Sequence, residues 1–256
     1  MAAIFVPPLP FTVAASSPAP LVGSVANLNI DIPGMVWRGS NASSIIVDLG
    51  ASAVAYDTVA VIGTNLAAND TVRIRTGTGN DGTSGGYAGT ALPAWSGSKS
   101  PASSADCIYR LGSTRTERYL RIDFTSSNAS GYVQAVRLVI GKAITTMGVD
   151  FDAEQGFVDR AVISTGAGYT SIDEYDVLIS WKFSTGWISE ASWRNDWFPM
   201  LQSVGQRRGI LFIPDDGTPA NWQSDAIFGR FTQSVSGKSE FYNAWRVEST
   251  ITSIAP

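Results

Sequence analysis

The side chains best suited to chemistry in this chain are carboxylates, and they fall into three groups. Asp150, Asp152 and Glu154 alternate with Val149, Phe151 and Ala153; Asp173, Glu174 and Asp176 precede an apolar run; Asp215 and Asp216 precede Gly217. Two acids facing each other across a sugar can hydrolyse a glycosidic bond. The first group also has the spacing at which a calcium loop begins. Gln155, however, stands where such a loop needs glycine, and Ala161 where it needs its last carboxylate. On a strand those three acids share one solvent face, and the other two groups read as charged turns. No metal site is expected.

Missing residue types narrow the chemistry further. The 256 residues include no histidine, which removes Ser-His-Asp and Cys-His nucleophilic catalysis and the usual zinc and iron sites. Cys107 is the single cysteine, so there is no disulfide within the chain. The glycine-rich run from Gly77 to Gly89 contains no lysine, so it is no phosphate loop. No cofactor is implied. A formal charge of -4 without any Lys/Arg run argues against a nucleic-acid partner. The opening Met1 to Pro8 has no basic start and is broken by prolines, a poor signal peptide; no stretch is long and apolar enough to enter a bilayer. Only 16% of residues are charged while 44% are apolar, against about 25% charged in ordinary soluble domains. Part of this surface is therefore expected to meet other protein. Asn41, Asn69 and Asn128 begin glycosylation-type triplets that here mark surface turns.

The elements that must position any site are strands. Ile45 to Gly50 and Val59 to Asn65 are short β-branched runs closed by glycine or a polar turn, and Arg118 to Phe124 alternates so that Leu120, Ile122 and Phe124 share one face. Leu28 to Ile32 reads as a strand ending at Pro33-Gly34, and residues 76–106 read as one long loop. Trp37, Asp48-Leu49-Gly50, Gly63-Thr64-Asn65 and Arg118-Tyr119-Leu120-Arg121-Ile122 follow one another in this order. In that arrangement residues 20–141 resemble the discoidin, or coagulation-factor type C, module, a galactose-binding-like jelly-roll β-sandwich. Animal members carry a bridging disulfide, so the absence of one points to a bacterial or viral relative. In that family the loops at one end of the sandwich carry ligand contacts, and the resemblance implies that Tyr87, Leu92 and Trp95 are the exposed glycan- or partner-contacting residues. Trp95 tucked back onto its own sandwich is the plain alternative.

Residues 1–20 carry five prolines and are expected to be extended: either a disordered tail or an inter-subunit arm anchored by Leu9, Phe11 and Val13. The boundary between the two halves falls at residues 142–148. Beyond it, strand-like runs surround one helix candidate from Glu190 to Val204, with Ser189 as N-cap, Gly205 just past its end, and Trp193, Trp197, Met200, Leu201 and Val204 on one face. Pro199 predicts a kink or a helix that restarts there. Through Trp181 to Phe183, Trp193, Arg208 to Asp215 and Phe228 to Arg230, this half resembles domains of tail-tip proteins of long-tailed bacteriophages.

The sequence thus implies a mostly β protein: an arm over 1–20, a discoidin-like jelly-roll sandwich over 21–141, and a β-sandwich or split barrel with one packed α-helix over 142–256. The leading expectation is a non-enzymatic structural component of a phage tail. It would be made in the bacterial host cytoplasm, reside in the virion, and contact other tail proteins, copies of itself and host surface polysaccharide. The alternative is a carbohydrate-binding adhesion module in which Tyr87 and Trp95 stack on a sugar. The third reading is a glycan-hydrolysing tail enzyme using Asp150 and Asp152.

Overall fold

The computed structural model describes residues 2–52, 54–99 and 104–254. Strands dominate, as the β-branched runs require. In the first half, Thr12–Ser17, Ala42–Asp48, Tyr119–Thr125, Thr71–Gly77 and Ala88–Pro93 form a five-stranded antiparallel sheet in that spatial order. It faces a three-stranded antiparallel sheet of Arg137–Gly141, Tyr56–Thr64 and Ala105–Arg115. Trp37, Ile45, Val47, Val59, Val61, Leu120, Ile122 and Phe124 fill the space between them. The alternation along Tyr119–Thr125 holds: Leu120, Ile122 and Phe124 are buried, while Asp123 on the other face pairs with Arg75 at 2.6 Å. Val59 and Val61 enter this core, whereas Ala60 and Ile62 pack with Leu211, Ile213 and Phe228 of the second half. A strand covered on both faces reads as a continuous apolar run, and Val59 to Ile62 does.

The second half is built on one mixed-order antiparallel sheet. Ile144–Thr145, Ile4–Val6, Ile210–Ile213, Ile227–Phe231, Ala244–Ser253, Leu178–Ser189 and Glu154–Val158 lie side by side, and Gly237–Phe241 also pairs with Ala244–Ser253. Phe183 stacks on Phe212 at 4.7 Å, and Phe5 meets Trp197 edge-on at 4.9 Å. The helical segment covers this sheet from residue 190 to 204, with Trp193, Trp197, Met200 and Val204 buried and Leu201 packed against them. The Ser189 hydroxyl accepts the Ser192 N–H at 3.1 Å, as a cap should. Trp193–Trp197 is wound as a π-turn in which Phe198 N–H reaches the Trp193 carbonyl, and Pro199 enters at the first turn of Phe198–Val204. The wider turn relieves the clash between the proline ring and the preceding turn, so the helix adjusts instead of breaking.

Three sequence expectations need correction. Residues 1–20 form no separate arm: Ile4–Val6 is an interior strand of the second sheet and Thr12–Ser17 an edge strand of the first. The sandwich is thus inserted between the first strand of the second unit and the remainder of it. Of the residues proposed as inter-subunit anchors, Phe11 is buried in the sandwich core and Leu9 packs on it, while Val13 lies exposed on the edge strand. The apolar surfaces of Phe11 and Leu9 are satisfied within the chain. The stretch read as a strand at Leu28 to Ile32 contains none: Leu28 and Asn29 close the 3-10 turn Val25–Asn29, whose Leu28 plugs the core, and residues 30–32 are irregular. The supposed long loop over 76–106 contains the strand Ala88–Pro93; small residues there hid an edge strand with little side-chain bulk. Among the described residues no helix is long and apolar enough to cross a membrane.

Candidate functional site

The strand register sorts the sandwich loops into two ends. Asp48 pairs with Tyr119, Gly77 with Tyr119, Arg75 with Ala88 and Tyr56 with Arg115. Residues 49–52, 54–55, 78–87 and 116–118 therefore share one end. Residues 65–70, 94–99 and 126–131 share the other. Tyr87 and Trp95 consequently flank opposite ends of Ala88–Pro93, a strand about 20 Å long at roughly 3.3 Å per residue. They cannot stack on the same sugar ring, which corrects their grouping into one site.

At the Tyr87 end the ring faces are already covered. The Arg115 guanidinium lies 4.6 Å from the centre of the Tyr87 ring and that of Arg118 5.0 Å from Tyr119. Arg118 donates two bonds to Asp48, at 2.8 and 2.7 Å. Those bonds hold the Asp48 carboxyl below its ordinary range. This end is occupied by one ion pair and two arginine–aromatic contacts.

The other end holds a pocket of about 230 Å³ between the sandwich and the second unit, lined by Leu92, Trp95, Tyr109, Pro219, Trp222 and Gln223. Leu92 is exposed; Trp95 is half-buried against the sandwich core. Each indole is fixed by its N–H: Trp95 Nε1 donates to the Leu66 carbonyl at 2.8 Å, and Trp222 Nε1 to the Asp215 carbonyl at 2.9 Å. The Tyr109 hydroxyl sits 2.9 Å from the Ala94 carbonyl. Gly97, at φ +87°, lets this loop touch the second unit: a Cβ there would lie 1.7 Å from the Ala220 carbonyl oxygen. Behind the pocket, Asp70 organises the neighbouring loops, accepting from Ala67 N–H at 2.8 Å, Ser126 Oγ at 2.8 Å and Ser127 N–H at 2.9 Å. Burial alone would raise its pKa, but these bonds to the ionised form outweigh it and the net shift is downward.

Asp106 and Gln223 form a wall shared with a second cavity of about 280 Å³, which Phe157, Ile179 and Phe228 also line. Asp106 N–H donates to Gln223 Oε1 at 3.0 Å, Gln223 Nε2 donates back to its carbonyl, and its carboxylate accepts Gly63 N–H at 2.9 Å. Desolvation pushes this carboxyl up to about 6.

The acids weighed for hydrolysis lie elsewhere. Asp150 is bonded to Ser184 and to Arg246, at 2.6 Å from the latter, and Arg246 also holds Glu240 at 3.2 Å and Glu248 at 3.5 Å. Glu154 pairs with Lys182 at 3.5 Å. Asp173, Glu174 and Asp176 are exposed. Among the described residues no group of three or more His, Cys, Asp or Glu is placed to hold a metal ion. Cys107 is buried, and burial pushes its thiol up to about 12.

No family model matches the chain, and no curated protein matches it in sequence. Among solved structures it is similar to a CBM32-3 module of a family 31 glycoside hydrolase from Clostridium perfringens, at 14% identity and TM-score 0.40, covering 52% of this chain and 90% of that one. A second match is a CBM32-5 module from Clostridium perfringens in complex with GalNAc-β-1,3-galactose, at 11% identity and TM-score 0.38, covering 53% and 99%. A third is a pectin-binding carbohydrate-binding module, at 12% identity and TM-score 0.36, covering 53% and 91%. The first half is a β-sandwich of a five-stranded and a three-stranded antiparallel sheet. The leading expectation of a structural phage-tail component does not stand: the structures named above are carbohydrate-binding modules, the class of the alternative reading.

Leu92 and Trp95 are thus brought into one pocket, and Tyr87 is not. Sequence reasoning missed Trp222, Gln223 and Asp106. The first two come from a turn over a hundred residues away. Asp106 carried one available signal, a lone acid immediately before an apolar strand.

Proposed function

We propose that this chain is a carbohydrate-binding module that holds a sugar, without turning it over, in the pocket between Trp95 and Trp222. One observation carries the reading. Leu92, Trp95 and Trp222 line a single pocket of about 230 Å³, and both indole N–H groups are already engaged by backbone carbonyls. What a ligand could meet is the half-buried Trp95 ring, with the Lys99 ammonium 5.8 Å from its centre, and the rim of the buried Trp222, both fixed in place before it arrives. Fixed aromatic surface is what the C–H face of a pyranose packs against, with little ordering cost. Gln223, Ser96 and Asp106 stand at the margin for the hydroxyl groups. The pocket is small beside the roughly 300–1,000 Å³ of sites for drug-sized ligands, so its natural content is one sugar ring.

The test is titration calorimetry of the full chain against neutral galacto- and gluco-oligosaccharides, repeated with Trp95→Ala. Binding that is lost in Trp95→Ala while the circular dichroism spectrum is unchanged supports the assignment. Binding that survives the substitution removes this pocket from the reading.

A further inference from the structure

Two features of the second unit are left without partners. The first is the hairpin Val162–Gly166 with Tyr169–Asp173, a two-stranded sheet that pairs with no other described strand. Ile163, Tyr169, Ile172 and Tyr175 are between 55% and 68% exposed. An isolated two-stranded hairpin is at best marginally stable in water, so this one needs cover. It is also acidic: Asp159, Asp173, Glu174 and Asp176 stand against the single cation Arg160, and none of the four has a cationic partner among the described residues.

The second feature is a groove of about 500 Å³ on the seam between the two units, walled by Pro7 to Pro10 and lined by Arg207, Arg208 and Arg230. Its only carboxylate, Asp31, is spent: one oxygen accepts Arg137 Nε at 2.8 Å and the other the Gly209 N–H at 2.7 Å. The three remaining guanidinium groups keep unused donors. Arg230 gives one bond, to the Asp31 carbonyl at 3.2 Å, and its Nε is buried without a partner. Arg207 reaches the Ser203 carbonyl at 3.5 Å, which serves the end of the preceding helix. The Arg208 side chain makes no hydrogen bond or ion pair among the described residues.

From these two surfaces we infer that the acidic hairpin of one copy of this chain docks in the arginine groove of a second copy. The match is one of charge and of pattern. Three guanidinium groups beside an apolar proline wall would meet the end of that hairpin, residues 173–177, the strand's last residue and the irregular stretch after it, in which Asp173, Glu174 and Asp176 stand among Tyr175 and Val177. Arginine forks suit carboxylates, and complementary potentials fix register and exclude wrong partners. The two surfaces differ, so the contact is head-to-tail: it closes into a ring or runs on as a filament.

The test is analytical ultracentrifugation of the full chain with two charge-reversed variants. Arg207→Glu with Arg208→Glu makes groove and hairpin both acidic; Asp173→Lys, Glu174→Lys and Asp176→Lys makes both basic. All these positions lie outside the cores, and circular dichroism verifies each fold. Expected is self-association of the native chain that weakens with salt, loss of at least about ten-fold in affinity in each variant alone, and recovery when the two are mixed. A native chain that stays monomeric at millimolar concentration overturns the inference, as does a mixture that fails to recover. A monomer that instead binds oligogalacturonate or an acidic peptide through Arg207 and Arg208 also overturns it and reassigns the groove.

Discussion

Asp106→Asn should stabilise the protein at neutral pH and lose that advantage in acid. The carboxyl of Asp106 sits in the wall between the two seam cavities, held by one backbone N–H from Gly63. Its proton is bound near pH 6 in the folded chain, against 3.8 for an unperturbed aspartate. At about 1.36 kcal/mol per pH unit, that gap corresponds to about 3 kcal/mol of cost for the ionised form. The residue keeps partial solvent contact, so about 1–2 kcal/mol is the working figure. Between the two pKa values the folded state binds more protons than the unfolded chain. Stability contributed by this group therefore falls as pH rises from about 4 to about 6 and is level above that. Asn keeps the acceptor for Gly63 and carries no charge. Asp48 and Asp70, whose pKa values are lowered, contribute the opposite slope, but they are common to both proteins and cancel in the difference. Urea denaturation of both proteins at pH 4, 5, 6 and 8 reads that difference. It should be about 1–2 kcal/mol in favour of Asn at pH 8 and shrink towards zero near pH 4. A difference independent of pH, or one favouring Asp at pH 8, refutes the desolvation argument.

Two further outcomes follow from packing. Gly97→Ala places a Cβ against the Ala220 carbonyl at a left-handed φ; strain and forced separation of the loop from the second unit should lower stability by about 1–3 kcal/mol, read by thermal unfolding, and weaken sugar binding in the adjoining pocket. Trp197→Ala empties the space between the helix and Phe5 and should cost about 3–5 kcal/mol, measured as a drop in the denaturation midpoint; a loss below about 1 kcal/mol would mean that this helix does not cover the sheet.

Much of the framework was legible because it rests on local rules. The β-branched runs at Ile45 and Val59, the alternation through Phe124, and the cap-to-cap helix from Ser189 to Gly205 each carry their own signal. What escaped depends on non-local pairing. Ile4–Val6 runs straight into Pro7-Pro8 and looks like a tail, and only its partners Ile210–Ile213 and Ile144–Thr145 make it a strand. The edge strand Ala88–Pro93 is mostly Ala, Gly and Pro, residues depleted in strands, with only Thr90 and Leu92 between them. The site suffered most. Tyr87 and Trp95 are eight positions apart in sequence, but an extended strand between them carries them to opposite ends of the sandwich. Trp222 enters the pocket from a turn that no spacing rule connects to Trp95.

The account stands most directly on whether a sugar occupies the pocket between Trp95 and Trp222. The decisive measurement is calorimetric titration of the native chain and of Trp95→Ala with the same neutral oligosaccharide. Saturable binding to the native chain, reduced beyond detection in a folded Trp95→Ala protein, is the predicted result. Equal binding by both proteins, or none by the native chain across neutral galacto- and gluco-oligosaccharides, contradicts it.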